Sequence, residues 1–283
     1  MTTGNFHLRS QCNATAPPAR AEEEAERSRL SVIVPTLNEA KRLPGLLTYL
    51  QRLNGLHEVV VSDGGSTDGT REFVVRWAPS RSTATDCHWP WQLRLVNAER
   101  GRAKQLNAGA QRAQGDVLFF IHADTLPPAD AAYWVRRTLR EPGVVAGAFR
   151  TWHVADAVLS RAAARQHSTS ESREVESPWW LHLADVRSRY TGLPYGDQGL
   201  FLTRMQYERL GGFPDQPLME DLEFSLRLRA HGVIRTAPSR MLVSGRRFEA
   251  HPLLDTCLVN AFPALYRLGV PARRLAEWYA HTR

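Results

Sequence analysis

Short unbroken apolar runs alternate, along the first half of the chain, with stretches whose apolar residues fall three or four apart. Residues 30–34 (Leu-Ser-Val-Ile-Val, ended by Pro35), 58–62 (Glu-Val-Val-Val-Ser), 93–96 and 117–121 (Val-Leu-Phe-Phe-Ile) are of the first kind. Runs this short, rich in β-branched and aromatic residues, predict strands buried on both faces. Between them Leu43, Leu46, Leu47, Leu50 and Leu53, with Pro44 at their head, predict a helix. A second is expected up to about Trp77, and Ala103, Leu106, Ala110 and Ala113 mark a third. Strand and helix in alternation predict an α/β domain, with helices on both faces of a parallel sheet.

The second half is less regular. A helix is expected over about 129–140, strands over 144–149, 200–203 and 241–243, and a helix over 220–231. Residues 79–92 read as a loop, and the polar, turn-rich 151–178 as a flexible segment over a site. Leu254, Leu258, Phe262, Leu265 and Leu268 share one helical face, expected to pack on the body, with lipid contact as the other reading. Residues 1–29 are polar, carry Pro17-Pro18 and end in an acid-rich stretch, so a mobile tail is expected. The organisation expected is a tail (1–29), one domain (30–251) and a C-terminal helical extension (252–283).

Composition narrows the partners. With 283 residues, 43% of them hydrophobic, the chain is long enough for a sizeable core. A formal charge of +7 suits an anionic partner such as a nucleotide, a phosphorylated substrate or an acidic membrane surface. Nucleic acid is not expected, since no Lys/Arg block is interleaved with aromatics. Cys12, Cys87 and Cys257 form no C-x-x-C pattern, and an odd count fits a reducing compartment. No apolar leader and no run of membrane-spanning length is visible, so a cytoplasmic protein is expected, with peripheral contact at the inner membrane face left open.

The chemistry gathers where strands end. His122 and Asp124 close the 117–121 run and project to one side of an extended chain. They read either as a polar turn or as ligands of a divalent ion at the edge of a sheet. Glu39 lies just past the first strand and Asp63 just past the second. Such acids either hold turns or accept from a uracil imide and ribose hydroxyls. Asp68 reads as a helix cap. A dinucleotide fingerprint is missing after the first strand, and 64–71 lacks the lysine of a phosphate loop. Arg100, Arg102 and Lys104 stand at a helix start, where cations oppose the dipole unless an anion binds nearby. Glu220-Asp221 open a helix, as first-turn acids commonly do, or supply a general base. After the last strand, Arg246 and Arg247 suit phosphate oxygens, and His251 reads as structural or as a further ligand.

Taken in order, Ser31-Val-Ile-Val-Pro-Thr-Leu-Asn-Glu39, Val60-Val-Ser-Asp-Gly-Gly-Ser-Thr-Asp68, Phe120-Ile-His-Ala-Asp124 and Glu220-Asp221 resemble the family 2 glycosyltransferases of the GT-A fold. Gly101-Arg-Ala-Lys-Gln-Leu-Asn, Gly196-Asp-Gln-Gly199 and Gly245-Arg-Arg247 are similar to a bacterial subgroup of largely unassigned substrate. The resemblance implies a Rossmann-like mixed, mostly parallel sheet and an inverting, non-processive transferase taking a hexose from a nucleotide-sugar, UDP-sugar favoured. It implies Pro35, Glu39 and Asp63 at the nucleoside, Asp124 at Mn²⁺ or Mg²⁺, and Asp221 as base. His122 stands where the metal motif usually has its first aspartate. Arg102, Lys104, Arg246 and Arg247 are assigned to the diphosphate. Trp179, Trp180, Tyr195, Asp197, Gln198 and Glu220 are assigned to the sugar or to a small-molecule or lipid acceptor. Two other readings stay open: a nucleotidyltransferase, for which 35–41 should be Gly-rich and is not, and a non-catalytic nucleotide-binding or membrane-docking module.

Overall fold

The computed structural model describes residues 28–78, 91–164, 192–246 and 252–281, with the side chains of 260–279 in the last segment. In chain order the elements are β1 Leu30–Thr36, α1 Leu43–Leu50, β2 Glu58–Asp63, α2 Thr70–Trp77, β3 Gln92–Asn97, α3 Arg102–Arg112, β4 Val117–Phe120, β5 Thr125–Leu126, α4 Ala131–Leu139, β6 Val144–Val154, α5 Asp156–Ala164, a 3-10 turn Gly196–Gln198, β7 Phe201–Thr203, α6 Arg204–Arg209, α7 Glu220–His231, β8 Val233–Ser244, α8 Pro252–Arg267 and α9 Ala272–His281.

The strands form one eight-stranded sheet, ordered β3-β2-β1-β4-β7-β6-β8-β5. β3, β2, β1 and β4 run parallel, β7 is antiparallel to both β4 and β6, and β8 is parallel to β6. The expected α/β class and mixed, mostly parallel sheet are what the chain forms.

Strand periodicity sorts the core into two layers. Leu30, Val32 and Val34 of β1, Val59 and Val61 of β2, and Val117 and Phe119 of β4 pack with the leucines of α1 and with α4 and α5. The alternate residues Ile33, Val60, Leu118 and Phe120 pack against α3, α6 and α7. Each fully buried leucine or phenylalanine contributes about 1.5–3 kcal/mol of transfer free energy.

At the N-terminal edge of the sheet one carboxylate ties four segments together. Glu58 is buried and accepts from Ser31 Oγ (2.6 Å), Arg94 Nε (2.7 Å), Gly115 N–H (3.3 Å) and the Gln114 N–H.

Several expectations change. Residues 151–154 complete β6 and 156–164 form α5, so that part of the expected flexible segment is regular structure; 165–178 lie outside the described residues. α5 is held because Leu159 and Ala163 are buried beside α1 and Arg52 donates to the Ala163 carbonyl. The last strand begins at Val233 rather than 241. Leu268 lies past the end of α8 and is 82% exposed, whereas Phe262 of the same stripe is buried with Leu218 and Leu275. The side chains of Leu254 and Leu258, the loop at 79–90 and residues 1–27 lie outside the described residues. Arg29 is ion-paired with Asp116 (3.0 Å).

Candidate functional site

The register sets Thr36 beside Asp63, and the Ile121 N–H donates to the Ile33 carbonyl, so β1, β2 and β4 finish together. Gln105 of α3 fixes that rim by donating from Nε2 to the carbonyls of Thr36 (2.6 Å) and Ser62 (3.2 Å).

Two turns leave the rim and are laced to each other. Asn38 takes up a left-handed conformation (φ 58°) and accepts from Thr67 N–H, while its own N–H donates to Ser66 Oγ. The Glu39 N–H donates to Thr70 Oγ1, and the Ala40 N–H to Asp68. Asp68 also accepts from the Thr70 N–H, the first of α2, but from one position before the N-cap, which is Gly69, so it is not the cap residue expected. Asp63 is 1% exposed. Its oxygens accept from Thr36 Oγ1, Ser66 Oγ, Gly65 N–H and Ser66 N–H, and Arg71 approaches to 3.9 Å. Of its two readings, the structure displays the turn. Pro35 lies buried within β1, opposite Ser62.

Beside the first turn lies an ion-pair ring. Arg246 Nη2 is 3.2 Å from Asp124 Oδ2 and 3.7 Å from Glu39 Oε1. Arg42 spans Glu39 (3.6 Å) and Asp156 (3.4 Å). Ser244 Oγ donates to Asp156 (2.7 Å) and accepts from the Arg246 N–H (3.4 Å). Burial pushes the Glu39 carboxyl up, with Asp124 adding to it against the pull of Arg246 and Arg42.

His122 joins this ring to a second group of acids. It is part-buried at the end of β4, and burial with the Arg102 charge pulls its pKa down, while Asp124, Asp197 and Asp221 pull it up. A neutral imidazole results at neutral pH. Below it a pocket is lined by His122, Arg102, Tyr195, Gly196, Glu220 and Asp221, with Phe120, Leu106 and Phe213 at its apolar side. Asp221 Oδ2 accepts from the Gly196 N–H (2.7 Å) and Oδ1 from the Leu222 N–H. Glu220 is buried and bonded to Arg102 Nε. Burial and the neighbouring Asp221 raise its carboxyl against the pull of Arg102.

Asp124, Glu39 and Arg246 therefore form one group, and Asp221, Glu220, Arg102 and Tyr195 line the pocket with His122. Arg102 stands with the acid pair rather than beside Arg246. Lys104 pairs with Glu99 (2.7 Å) and lies 3.9 Å from Asp215. Asp197 is 3.9 Å from His153, and Gln198 is buried. Trp179, Trp180, Arg247 and His251 lie outside the described residues. Sequence reasoning missed Arg42, Asp156, Ser244 and Gln105. Arg42 and Asp156 sit on stretches without a motif, Gln105 and Ser244 within or beside quoted motifs, and all four acquire their positions only through contacts across the fold. Gly196 was noted in its motif, but not for the hydrogen bond it makes.

Among the described residues no three His, Cys, Asp or Glu side chains gather closely enough to hold an ion by themselves. The donor set suits a shared site instead. Asp124 is a carboxylate already facing a cation, the Arg246 guanidinium, and ions of the Mg²⁺ type are commonly held by one or two carboxylates plus substrate phosphates.

The family model described as "Glycosyl transferase family 2" matches residues 31–209. A probable glycosyltransferase of Bacillus subtilis, YdaM, is 25% identical over 222 residues, covering 75% of this chain and 49% of that protein. The undecaprenyl-phosphate 4-deoxy-4-formamido-L-arabinose transferase of Pseudomonas savastanoi is 30% identical over 105 residues, 36% of this chain and 29% of that one. The chain thus spans half or less of these relatives' length. Among solved structures, the mannosyltransferase PcManGT of Pyrobaculum calidifontis, with GDP-Man and Mn²⁺, superposes with a TM-score of 0.58 at 24% identity, over 93% of this chain and 77% of that one. The glucosyl-3-phosphoglycerate synthase of Mycobacterium tuberculosis with Mn²⁺, UDP and phosphoglyceric acid gives 0.51 at 18% identity, over 88% and 82%. At these identities the likeness is one of fold.

Proposed function

Since the chain belongs to glycosyl transferase family 2, we propose that it transfers a sugar, with inversion, from a nucleoside diphosphate donor to an acceptor hydroxyl, with Asp221 as general base. The observation that carries this reading is that Asp221, held by the Gly196 N–H, lines one pocket with His122, while Asp124, two residues on from His122, lies in the ion-pair ring with Arg246 and Glu39.

Asp221 lines the pocket and is held by two backbone N–H donors, which fix its orientation. In the proposed step the acceptor oxygen attacks C1 of the sugar and its proton passes to the Asp221 carboxylate. The bond from C1 to the diphosphate oxygen breaks, and the electron pair leaves with the nucleoside diphosphate. Asp221 accepts the proton only as the C1–O bond forms and the hydroxyl becomes acidic, so an ordinary carboxylate suffices. Glu39 and the turn organised by Asp63 receive the nucleoside. Asp63 contributes through that turn, since four donors already converge on it. Arg246 meets the diphosphate, with Arg247 and Lys104 assigned there from the sequence.

Asp124 would hold the divalent ion, Mn²⁺ or Mg²⁺, together with diphosphate oxygens; when bound, the ion supplies charge neutralisation of the leaving group. Tyr195, Asp197, Gln198 and Glu220, with Trp179 and Trp180, would line the sugar and acceptor end. UDP-sugars remain the favoured donors, with GDP-sugars next, and hexose transfer and non-processive action are part of the same reading. A lipid acceptor met at a membrane surface suits the basic chain and the exposed Leu268 and Trp278.

The test is release of UDP or GDP from a panel of nucleotide-sugars with Mn²⁺. We expect Asp221→Asn to lose at least 10³-fold in turnover, the order of general-base and geometric effects combined, while binding nucleotide as the wild type does. Transfer at the wild-type rate in Asp221→Asn removes that residue from the mechanism. Failure to bind or hydrolyse any donor removes the enzyme reading altogether.

A further inference from the structure

The ring around Glu39 contains three carboxylates, Glu39, Asp124 and Asp156, and two guanidiniums, Arg42 and Arg246. One negative charge is left over. Glu39 Oε2 is a buried oxygen without a hydrogen-bond partner, and its nearest cation, Arg42, stands 3.6 Å away. Arg246 is the more exposed cation. Its side chain is 38% exposed against 24% for Arg42, and it lies two residues past the end of the last strand. It also rests on Oδ2 of Asp124, the carboxylate assigned above to the divalent ion.

We propose that Arg246 is a place-holding cation. In the donor-free protein its guanidinium neutralises Asp124 and Glu39, and a divalent ion gains Asp124 only when a diphosphate draws Arg246 away. This rests on the assignments of Asp124 and Arg246 made above and goes beyond them. It makes ion and nucleotide binding mutually dependent. An ion arriving alone must displace Arg246 from Asp124 and leave it only the longer contact to Glu39. With a diphosphate present, the arginine exchanges one set of oxygens for another, which phosphate geometry favours. Linkage then requires the reverse as well: nucleotide binds weakly without the ion, by the same factor. The site would in this way stay closed to free metal and open to the metal–nucleotide pair.

The experiment follows the free Mn²⁺ signal by electron paramagnetic resonance during titration of wild type, Arg246→Gln, Arg246→Lys and Asp124→Asn, each alone and with UDP or GDP. Arg246 is partly exposed, and thermal melts verify that each variant folds. Wild type is expected to bind Mn²⁺ weakly alone and at least tenfold tighter with nucleotide, within the usual span of coupling between sites. Arg246→Gln should bind Mn²⁺ alone about tenfold tighter than wild type and gain less from nucleotide. Arg246→Lys, which keeps the charge, should stay near wild type.

Equal Mn²⁺ affinity in wild type and Arg246→Gln overturns the proposal. If Asp124→Asn loses Mn²⁺ in the same series, the function proposed above survives that result. Undiminished Mn²⁺ binding in Asp124→Asn overturns both, because the ion then sits elsewhere. Nucleotide binding that withstands chelation and disappears in Arg246→Gln also overturns it, since the arginine is then the resident cation.

Discussion

Gly196 shows how little material holds Asp221, the proposed base, in place. Its N–H donates to Asp221 Oδ2 at 2.7 Å, and a Cβ on it would stand 2.6 Å from His122 Nε2 and 3.4 Å from that same Asp221 oxygen. Only a residue without a side chain lets three segments meet here: the end of β4, the 3-10 turn and the start of α7. Gly196→Ala is therefore expected to push His122 and Asp221 apart and to lower kcat by about 10²-fold, the usual cost of misplacing a reacting group by an ångström. UDP affinity should stay within a factor of two or three, because Glu39 and Asp124 belong to the ion-pair ring and do not line the pocket at Gly196. A variant with wild-type kcat would show that the contact is passive packing. At this scale the sequence spoke clearly about acids and poorly about what surrounds them. Asp221 was visible as the second acid of a helix start. That Glu220 spends its charge on Arg102 was not, because the two are 118 positions apart and neither stretch hints at the other.

Among the elements, strands buried on both faces were the easiest to recognise, since burial on both sides leaves an uninterrupted apolar run. β6 and β8 were harder. β6 is buried without a break from Val145 to Phe149 and mixed beyond it, and β8 mixes buried and exposed positions irregularly and carries Arg235, Pro238 and Arg240, which interrupt a strand pattern. The structure accommodates Pro238 at an irregularity: β6 advances from Ala148 to Arg150 while β8 advances from Thr236 to Arg240. The Glu58 knot is the element-scale feature most open to test. Burial alone would raise this carboxyl, but donors from Gln114, Ser31 and Arg94 together outweigh it and hold it below its ordinary 4.5. A lowered folded-state value means the stabilisation is present above pH 4.5 and is lost as pH falls through that lowered value. Glu58→Ala should cost roughly 3 kcal/mol at pH 7, as expected when a buried charged partner is removed. The difference from wild type, read from urea midpoints, should shrink below pH 4.5. A gap that stays constant with pH would assign the loss to packing alone.

For the molecule as a whole, the C-terminal helices brace the start of α7, the helix that carries the proposed base. Phe262 of α8 and Leu275 of α9 close with Leu218 into a small core that also packs Met219. Met219 precedes Glu220 and takes up a left-handed conformation (φ 64°), which costs a residue with a side chain about 1–2 kcal/mol. Tyr266 adds a hydrogen bond to Glu223, one turn into α7. Leu275→Ala should lower stability by roughly 2–5 kcal/mol. If the brace acts on Asp221, it should also lower kcat about fivefold with UDP affinity unchanged; a fall in melting temperature with intact kcat would make it structural only. No helix among the described residues is long and apolar enough to cross a membrane, and the packing of Phe262 and Leu275 gives part of the apolar stripe an internal partner. What the sequence determined by itself was the alternation of buried strands and amphipathic helices, and with it the rim where acids collect, because periodicity and burial are local properties of the chain. Which charges neutralise which was decided only by the tertiary structure. Coulomb interactions depend on distance through space, and folding brings Arg246 to Asp124, and Arg102 to Glu220, across more than a hundred residues of chain.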